Sequence, residues 1–304
     1  MKNLKVNIAG VEFNNPVTTA SGTFGYGREF SQFVDLNKIG GISVKGVAID
    51  EWGGNPPPRI METYGGMLNS VGLQNPGVDY FIEKEIPFLR RYESKIIANV
   101  CGHSVEEYEG VCEKINEADI DLVELNISCP NLGGSGGGAA FGTDPDMARE
   151  VVAKSKAKLT KKPLLVKLSP NVTDITLIAK TVEAAGADAV SLINTLLGMK
   201  IDIRKRKAPF ANKVAGLSGP AIKPVALRMV YQVKKSVKIP VLGMGGISTG
   251  EDAIEFMMAG ASAIAVGTAN FINPNACINI LREIEEFMEK ENIKDINEIV
   301  GIID

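Results

Sequence analysis

The stretch Leu122–Gly142, LVELNISCPNLGGSGGGAAFG, decides how the rest of the chain is read. Its apolar run, Leu122 to Leu125, is closed by Asn126, and three residues later Cys129 stands between Ser128 and Pro130. After Asn131 the backbone turns almost wholly to glycine, from Gly133 to Gly138. A short strand ending in a carboxamide, then a thiol, then a glycine-rich connection is the plan by which a barrel strand delivers a reactive side chain and a covering loop to one mouth. The plain alternative is a buried, inert cysteine before a flexible linker. Recurrence of the same plan along the chain separates the two.

It recurs. Apolar β-rich runs lie at Val17–Ala20, Ile42–Val44, Ile96–Ala98, Leu122–Leu125, Leu164–Val166, Ala189–Ile193, Val241–Met244 and Ala263–Val266. Between them come segments of helical periodicity around 29–37, 79–91, 105–118, 145–159, 175–185, 222–237, 251–259 and 276–289. Strict alternation with continuous apolar strands implies a parallel sheet covered by helices, and eight repeats favour a closed (β/α)8 TIM barrel over a doubly wound open sheet. Lys5–Ile8 and Val11–Phe13 flank Ala9-Gly10 and read as an N-terminal β-hairpin, a plug for the barrel bottom. Such a barrel needs about 250 residues, so the expectation is one domain over residues 1–304.

What ends each run carries the chemistry. Ser21, Lys45, Asn99, Asn126, Lys167 and Asn194 sit at or just past strand ends, and the last two runs end in Gly245-Gly246 and Gly267-Thr268. One polar strand end is commonplace, but in a closed barrel all of these converge on the C-terminal face. The long connections 46–78, 127–144 and 195–220 open over that face as well. Glycines before helix starts after strands seven and eight form a phosphate-monoester site, with tight turns as the plain alternative. No Gly-Lys-Ser/Thr follows them and GMGGIS does not fit the dinucleotide fingerprint, so a mononucleotide is expected. Lys167 suits a cofactor ring that becomes anionic on reduction, and Lys45 suits a ring oxygen or a substrate carboxylate; snorkelling to solvent is the plain reading of either. Asn69, Asn126 and Asn194 both donate and accept, as the edge of a cyclic amide such as a pyrimidine dione requires.

Composition removes several classes. With 33 basic and 36 acidic residues the net charge is −3, which argues against phosphate-driven nucleic-acid binding. No stretch reaches the ~18 apolar residues of a membrane span, and the strand-like MKNLKVNIAGVEF lacks the apolar block of a signal peptide, so a cytoplasmic protein is expected. Cys101, Cys112, Cys129 and Cys277 form no CxxC pair, and His103 near two of them lacks further ligands at zinc spacing, so no metal is expected.

Asn126-Ile127-Ser128-Cys129-Pro130-Asn131, with Ser43-Val44-Lys45-Gly46, Asn69-Ser70-Val71-Gly72-Leu73, Asn194-Thr195, Leu217-Ser218-Gly219-Pro220 and Gly245-Gly246-Ile247, resembles the catalytic subunit of dihydroorotate dehydrogenases, over nearly the whole chain. It is most similar to the branch (type 1B) that passes electrons to NAD through an iron-sulfur flavoprotein subunit. That branch has a cysteine as active-site base, matched by Cys129; the quinone branch has a serine and an N-terminal helical extension, and the fumarate branch has a proline- and lysine-bearing loop where this chain has Leu132-Gly133-Gly134. The tract 133–138 is longer and poorer in side chains than the family's pattern.

The resemblance implies FMN contacts at Ser21, Lys45, Gly46, Asn99, Asn126, Lys167, Ile193, Gly219, Gly245, Gly246, Gly267 and Thr268. It implies substrate contacts at Lys45, Asn69, Ser70, Val71, Gly72, Leu73, Asn126, Asn194 and Thr195. The implied reaction is oxidation of dihydroorotate to orotate in pyrimidine synthesis, with Cys129 taking the proton from ring carbon 5 and Ser128 or Thr195 relaying it. The implied assembly is a homodimer core of a heterotetramer whose partner carries FAD and a [2Fe-2S] cluster. This chain itself shows no second nucleotide fingerprint and no clustered thiolates for such a relay. The alternatives are a fumarate-linked single-subunit enzyme, a flavin enzyme acting on another dihydropyrimidine, and a non-enzymatic phosphate-ligand-binding barrel.

Overall fold

A computed structural model describes residues 2–128 and 141–303. Cys129 and the glycine tract therefore lie outside the described residues. The chain opens with an antiparallel hairpin, β1 (Val6–Ile8) and β2 (Val11–Phe13), in which Val6 pairs with Phe13. Eight parallel strands follow: β3 (Val17–Thr19), β4 (Gly41–Ser43), β7 (Lys95–Val100), β8 (Leu122–Asn126), β9 (Leu164–Lys167), β10 (Ala189–Leu192), β13 (Val241–Met244) and β14 (Ala263–Val266). They close on themselves, β14 pairing with β3 and β10 with β13, so the closed barrel and the N-terminal hairpin stand as expected. The strands are buried on both faces because helices cover them. The hairpin sits at the bottom: a Cβ added at Gly41, the first residue of β4, would lie 2.7 Å from the fully buried ring of Phe13.

Two expected helices take another form. Segment 29–37 makes two 3-10 turns, Phe30–Gln32 and Leu36–Lys38, the second capped by Asp35. Segment 79–91 is helical only in pieces: a turn at Val78–Tyr80, a π-stretch at Phe81–Glu85 and a last turn at Ile86–Leu89. Pro87 has no N–H to give to the carbonyl four residues back, so the ladder changes register before it.

The long connections are not plain loops. The one after β4 carries β5 (Ile60–Thr63) and β6 (Gly66–Asn69), and the one after β10 carries β11 (Leu196–Met199) and β12 (Val214–Ser218). These four form an antiparallel sheet in the order β11-β12-β6-β5, with Asn69 opposite Gly216. Leu68, Phe210 and Ala215 give it a small core of its own. Short, glycine-bearing strands paired over such sequence distances give little local signal. Their effect is to dock two loops against each other above the barrel mouth.

Candidate active site

A cavity opens at the C-terminal end of the barrel, with about 1150 Å³ of free space including its open mouth. Ser21, Lys45, Gly46, Asn99, Asn126, Lys167, Ile193, Gly219, Gly245, Gly246, Gly267 and Thr268 all line it. So do Asn69, Val71, Gly72, Leu73, Asn194 and Thr195. Ser70 does not: it is buried, and its hydroxyl accepts from Asn55 Nδ2 at 3.2 Å, which ties the loop down from behind. Thr23, Ile60, Met67 and Phe271 also line it, and nothing in their local sequence had marked them; Ser218, from the Leu217–Pro220 motif, lines it too.

The cavity floor is polar and closely bonded. Lys167, 4% exposed, donates to Ser21 Oγ at 3.1 Å, joining the ends of β9 and β3. Asn126 Nδ2 donates to Asn99 Oδ1 at 3.2 Å, and Asn126 Oδ1 accepts from Ser128 Oγ at 3.0 Å. Asn194 Nδ2 donates to Ser128 Oγ at 2.9 Å and to its carbonyl at 3.1 Å. Tyr108, fully buried on the helix Val105–Asn116, donates to the carbonyl of Asn126 at 2.7 Å and meets Phe141 edge-on. Ser128 and Phe141, the described residues on either side of 129–140, are thus each held in place. Thr195 Oγ1 is buried with no hydrogen-bond partner among the described residues. A buried hydroxyl left so is costly, by about 1–3 kcal/mol, and a polar ligand in the cavity that Thr195 lines would supply the partner.

The glycine turns are shaped for close approach. Gly246 has φ +83°, and a Cβ there would lie 2.8 Å from Lys223 Cβ and 2.9 Å from the Gly219 carbonyl. Thr268 Oγ1 donates to Ser218 Oγ at 2.8 Å, joining the turn after β14 to the end of β12. The helix after β13, Gly250–Met258, differs from the expectation of a phosphate-binding N-terminus. Asp252 Oδ2 accepts from the N–H groups of Ser248 (2.8 Å) and Thr249 (3.0 Å), Thr249 and Asp252 form a capping box, and Glu283 takes the Gly250 N–H. Two carboxylates already occupy that helix end, and their charge would oppose a phosphate there. The Gly245-Gly246 turn and Gly267-Thr268 remain, beside the short helix Ala269–Ile272.

His103 lies away from the cavity lining, packed on Trp52 with centroids 4.0 Å apart and 3.5 Å from Glu107. Among the described residues no His, Cys, Asp and Glu cluster could hold a metal ion, and no helix is long and apolar enough to cross a membrane. Burial pushes the thiols of Cys112 and Cys277 up to about 12, so neither is a base near neutrality.

Fold and site together define a (β/α)8 barrel enzyme with a polar-floored cavity at its C-terminal mouth. The family model for dihydroorotate dehydrogenase matches residues 3–288, and the chain belongs to that family. Proteins named dihydroorotate dehydrogenase B (NAD(+)), catalytic subunit, are among its relatives. That of Alkaliphilus metalliredigens is 64% identical, covering 98% of each chain, and that of Lachnoclostridium phytofermentans is 60% identical, covering 99% of each. That of Petrotoga mobilis is 55% identical over the whole of both chains. The family is flavin-dependent, and the buried lysine, the positive-φ glycine turn and the carboxamide floor are a donor set that fits a flavin mononucleotide.

The pair between Lys223 and Asp252, 2.5 Å apart, fastens the helix Lys223–Lys234 to this turn. Burial raises the Asp252 carboxyl, but hydrogen bonds from Lys223 and from the N–H groups of Ser248 and Thr249, with the Lys223 charge, outweigh it and hold it below its ordinary 3.8. A depressed carboxyl stabilises the fold fully above its unfolded value and loses that contribution as pH falls through the folded one. Asp252→Asn should therefore lower stability by about 1–2 kcal/mol at neutral pH, the order of a lost cap, with the deficit closing as the pH drops below 3.8. Urea denaturation at several pH values checks this, and a deficit that does not change with pH would contradict it.

Proposed function

We infer that this chain oxidises dihydroorotate to orotate in pyrimidine synthesis, as the FMN-bearing catalytic subunit of an NAD-linked dihydroorotate dehydrogenase. The observation that carries the reading is the gathering of strand-end groups from across a family-matched barrel into one cavity. Bound FMN supplies the two-electron acceptance that the oxidation needs. For this role residues 1–304 act as one FMN-binding domain. Gly245, Gly246, Gly267 and Thr268 would hold the phosphate, with Gly219 and Ile193 beside them. Lys167, Ser21, Gly46, Asn99 and Asn126 would hold the ring system.

The substrate's alternating amide edge suits Asn69, Asn126 and Asn194, and its carboxylate suits Lys45. Ser70 to Leu73 and Thr195 would close around it, Ser70 by supporting the loop. Cys129 would take the proton from ring carbon 5. An unperturbed thiol has a pKa of ~8.5, so only a small fraction is thiolate near neutrality. Ser128 is the better placed relay, because it is hydrogen-bonded to both Asn126 and Asn194. Cys129→Ser should keep its flavin yet be reduced by dihydroorotate about 10²–10⁴ times more slowly at neutral pH. Stopped-flow reduction within about threefold of the parent would remove Cys129 from this role.

Electrons then leave through a second subunit. We propose an iron-sulfur flavoprotein with FAD and a [2Fe-2S] cluster, in a cytoplasmic heterotetramer built on a homodimer of this chain. Its relatives are named as catalytic subunits, which supports a partner. The purified chain should form no NADH from dihydroorotate until that partner is added. NADH formation at catalytic rates by the lone chain would overturn the partner requirement, and rapid reoxidation by fumarate would place it in the single-subunit branch.

A further inference from the structure

Glu124 lies in the middle of the apolar run that opened the sequence reading, yet its side chain is fully buried inside the barrel. Its carboxyl oxygens accept three hydrogen bonds from three other strands. Ser191 Oγ on β10 donates to Oε1 at 2.7 Å, and Ser43 Oγ on β4 and Asn99 Nδ2 on β7 donate to Oε2 at 3.0 and 2.6 Å. Glu124, Ser43 and Ser191 do not line the cavity, whereas Asn99 does. The carboxyl thus stands directly beneath the cavity floor.

A carboxamide can present either its oxygen or its nitrogen, and the neighbours decide which. Ser128 N–H holds Asn126 Oδ1 at 3.3 Å, and Thr195 N–H holds Asn194 Oδ1 at 2.8 Å, so both of these have a backbone anchor. Among the described residues the side-chain hydrogen bonds of Asn99 run to Glu124 and Asn126. Because Glu124 accepts from Asn99 Nδ2, Asn99 Oδ1 is turned to Asn126 Nδ2. An acceptor beneath the floor therefore sets the sense of Asn99, the one carboxamide of the three whose side chain has no backbone anchor, and so supplies Asn126 Nδ2 with an acceptor.

We propose that Glu124 is a positioning residue of the substrate site, acting through Asn99 to hold the Nδ2 side of Asn126, one of the carboxamides that meet the pyrimidine ring. This rests on the dihydroorotate reading above. Removing the acceptor leaves Asn99 Nδ2 without its partner and free to turn, which takes its Oδ1 away from Asn126 Nδ2. A glutamine retains one oxygen that can face Ser43 and Asn99, with its nitrogen toward Ser191, so it should restore the arrangement.

The experiment measures orotate binding to the FMN-loaded protein by the change in flavin absorbance, with FMN content and thermal unfolding recorded for each variant. Glu124→Met should weaken orotate by about tenfold or more, on the order of the 1.4 kcal/mol that a tenfold change represents. Glu124→Gln should return to within about threefold of the parent. Orotate binding by Glu124→Met within about threefold of the parent would overturn the proposal, as would an equal loss in both variants. If Glu124→Met does not fold, the double variant Ser43→Ala/Ser191→Ala removes two of the three bonds that aim the carboxyl. It should weaken orotate by about fivefold, and unchanged binding there would equally overturn the proposal. Failure of the dihydroorotate reading itself looks different, since the parent protein would then show no orotate-dependent spectrum.

Discussion

Closing eight parallel strands into a barrel sends every strand's C-terminal end to the same rim, and the functional reading depends on that convergence. Lys167 on β9 reaches Ser21 after β3 because the ring of strands brings both to one mouth. The groups of the carboxamide floor come from β7, β8 and the turn after β10 for the same reason. In an apolar barrel such groups must bond to one another or to a ligand, because an unmatched buried polar atom is costly. The floor is consequently a connected network, and the buried hydroxyl of Thr195 is its open position.

A second tier fixes what the barrel alone leaves loose. The four-stranded sheet sets Asn69 beside Gly216, where a Cβ would come within 2.3 Å of Thr195 Oγ1. Asn69 and Gly216, 147 positions apart, are held together by backbone pairing rather than by loop packing, which sets Asn69 and Thr195 at one wall of the cavity. On the opposite side, the capping box of Thr249 and Asp252 with the Lys223 pair fastens the glycine turn to two helices. The acidic groups there occupy the N-terminal amides of the helix Gly250–Met258.

The barrel and most of its lining were legible because each barrel strand is a compact apolar run with its polar punctuation at one end. Strand-end side chains such as Lys167 and Asn126 could be read one at a time and then summed by the geometry of closure. The upper sheet was not legible, since IMET, GMLN, LLGM and VAGLS are short, carry glycine in three of the four, and are joined into one sheet by the distant pairing of β6 with β12. Glu124 was passed over inside Leu122–Leu125, although a carboxylate in an otherwise apolar strand is itself a signal that buried donors wait for it. Ser70 carried its place in a motif, while its side chain turns to Asn55. The broken helix over 78–89 traces to Pro87, a residue whose effect on register depends on what packs around it.

The central claim is that the barrel mouth holds FMN and a dihydroorotate ring together. It is tested most directly by the visible absorbance spectrum of the purified protein under anaerobic conditions, before and after dihydroorotate is added. The account predicts an oxidised-flavin spectrum, either as isolated or after incubation with FMN, that bleaches on mixing with dihydroorotate. A protein that takes up no FMN, or that binds it and stays oxidised in the presence of dihydroorotate, would contradict it.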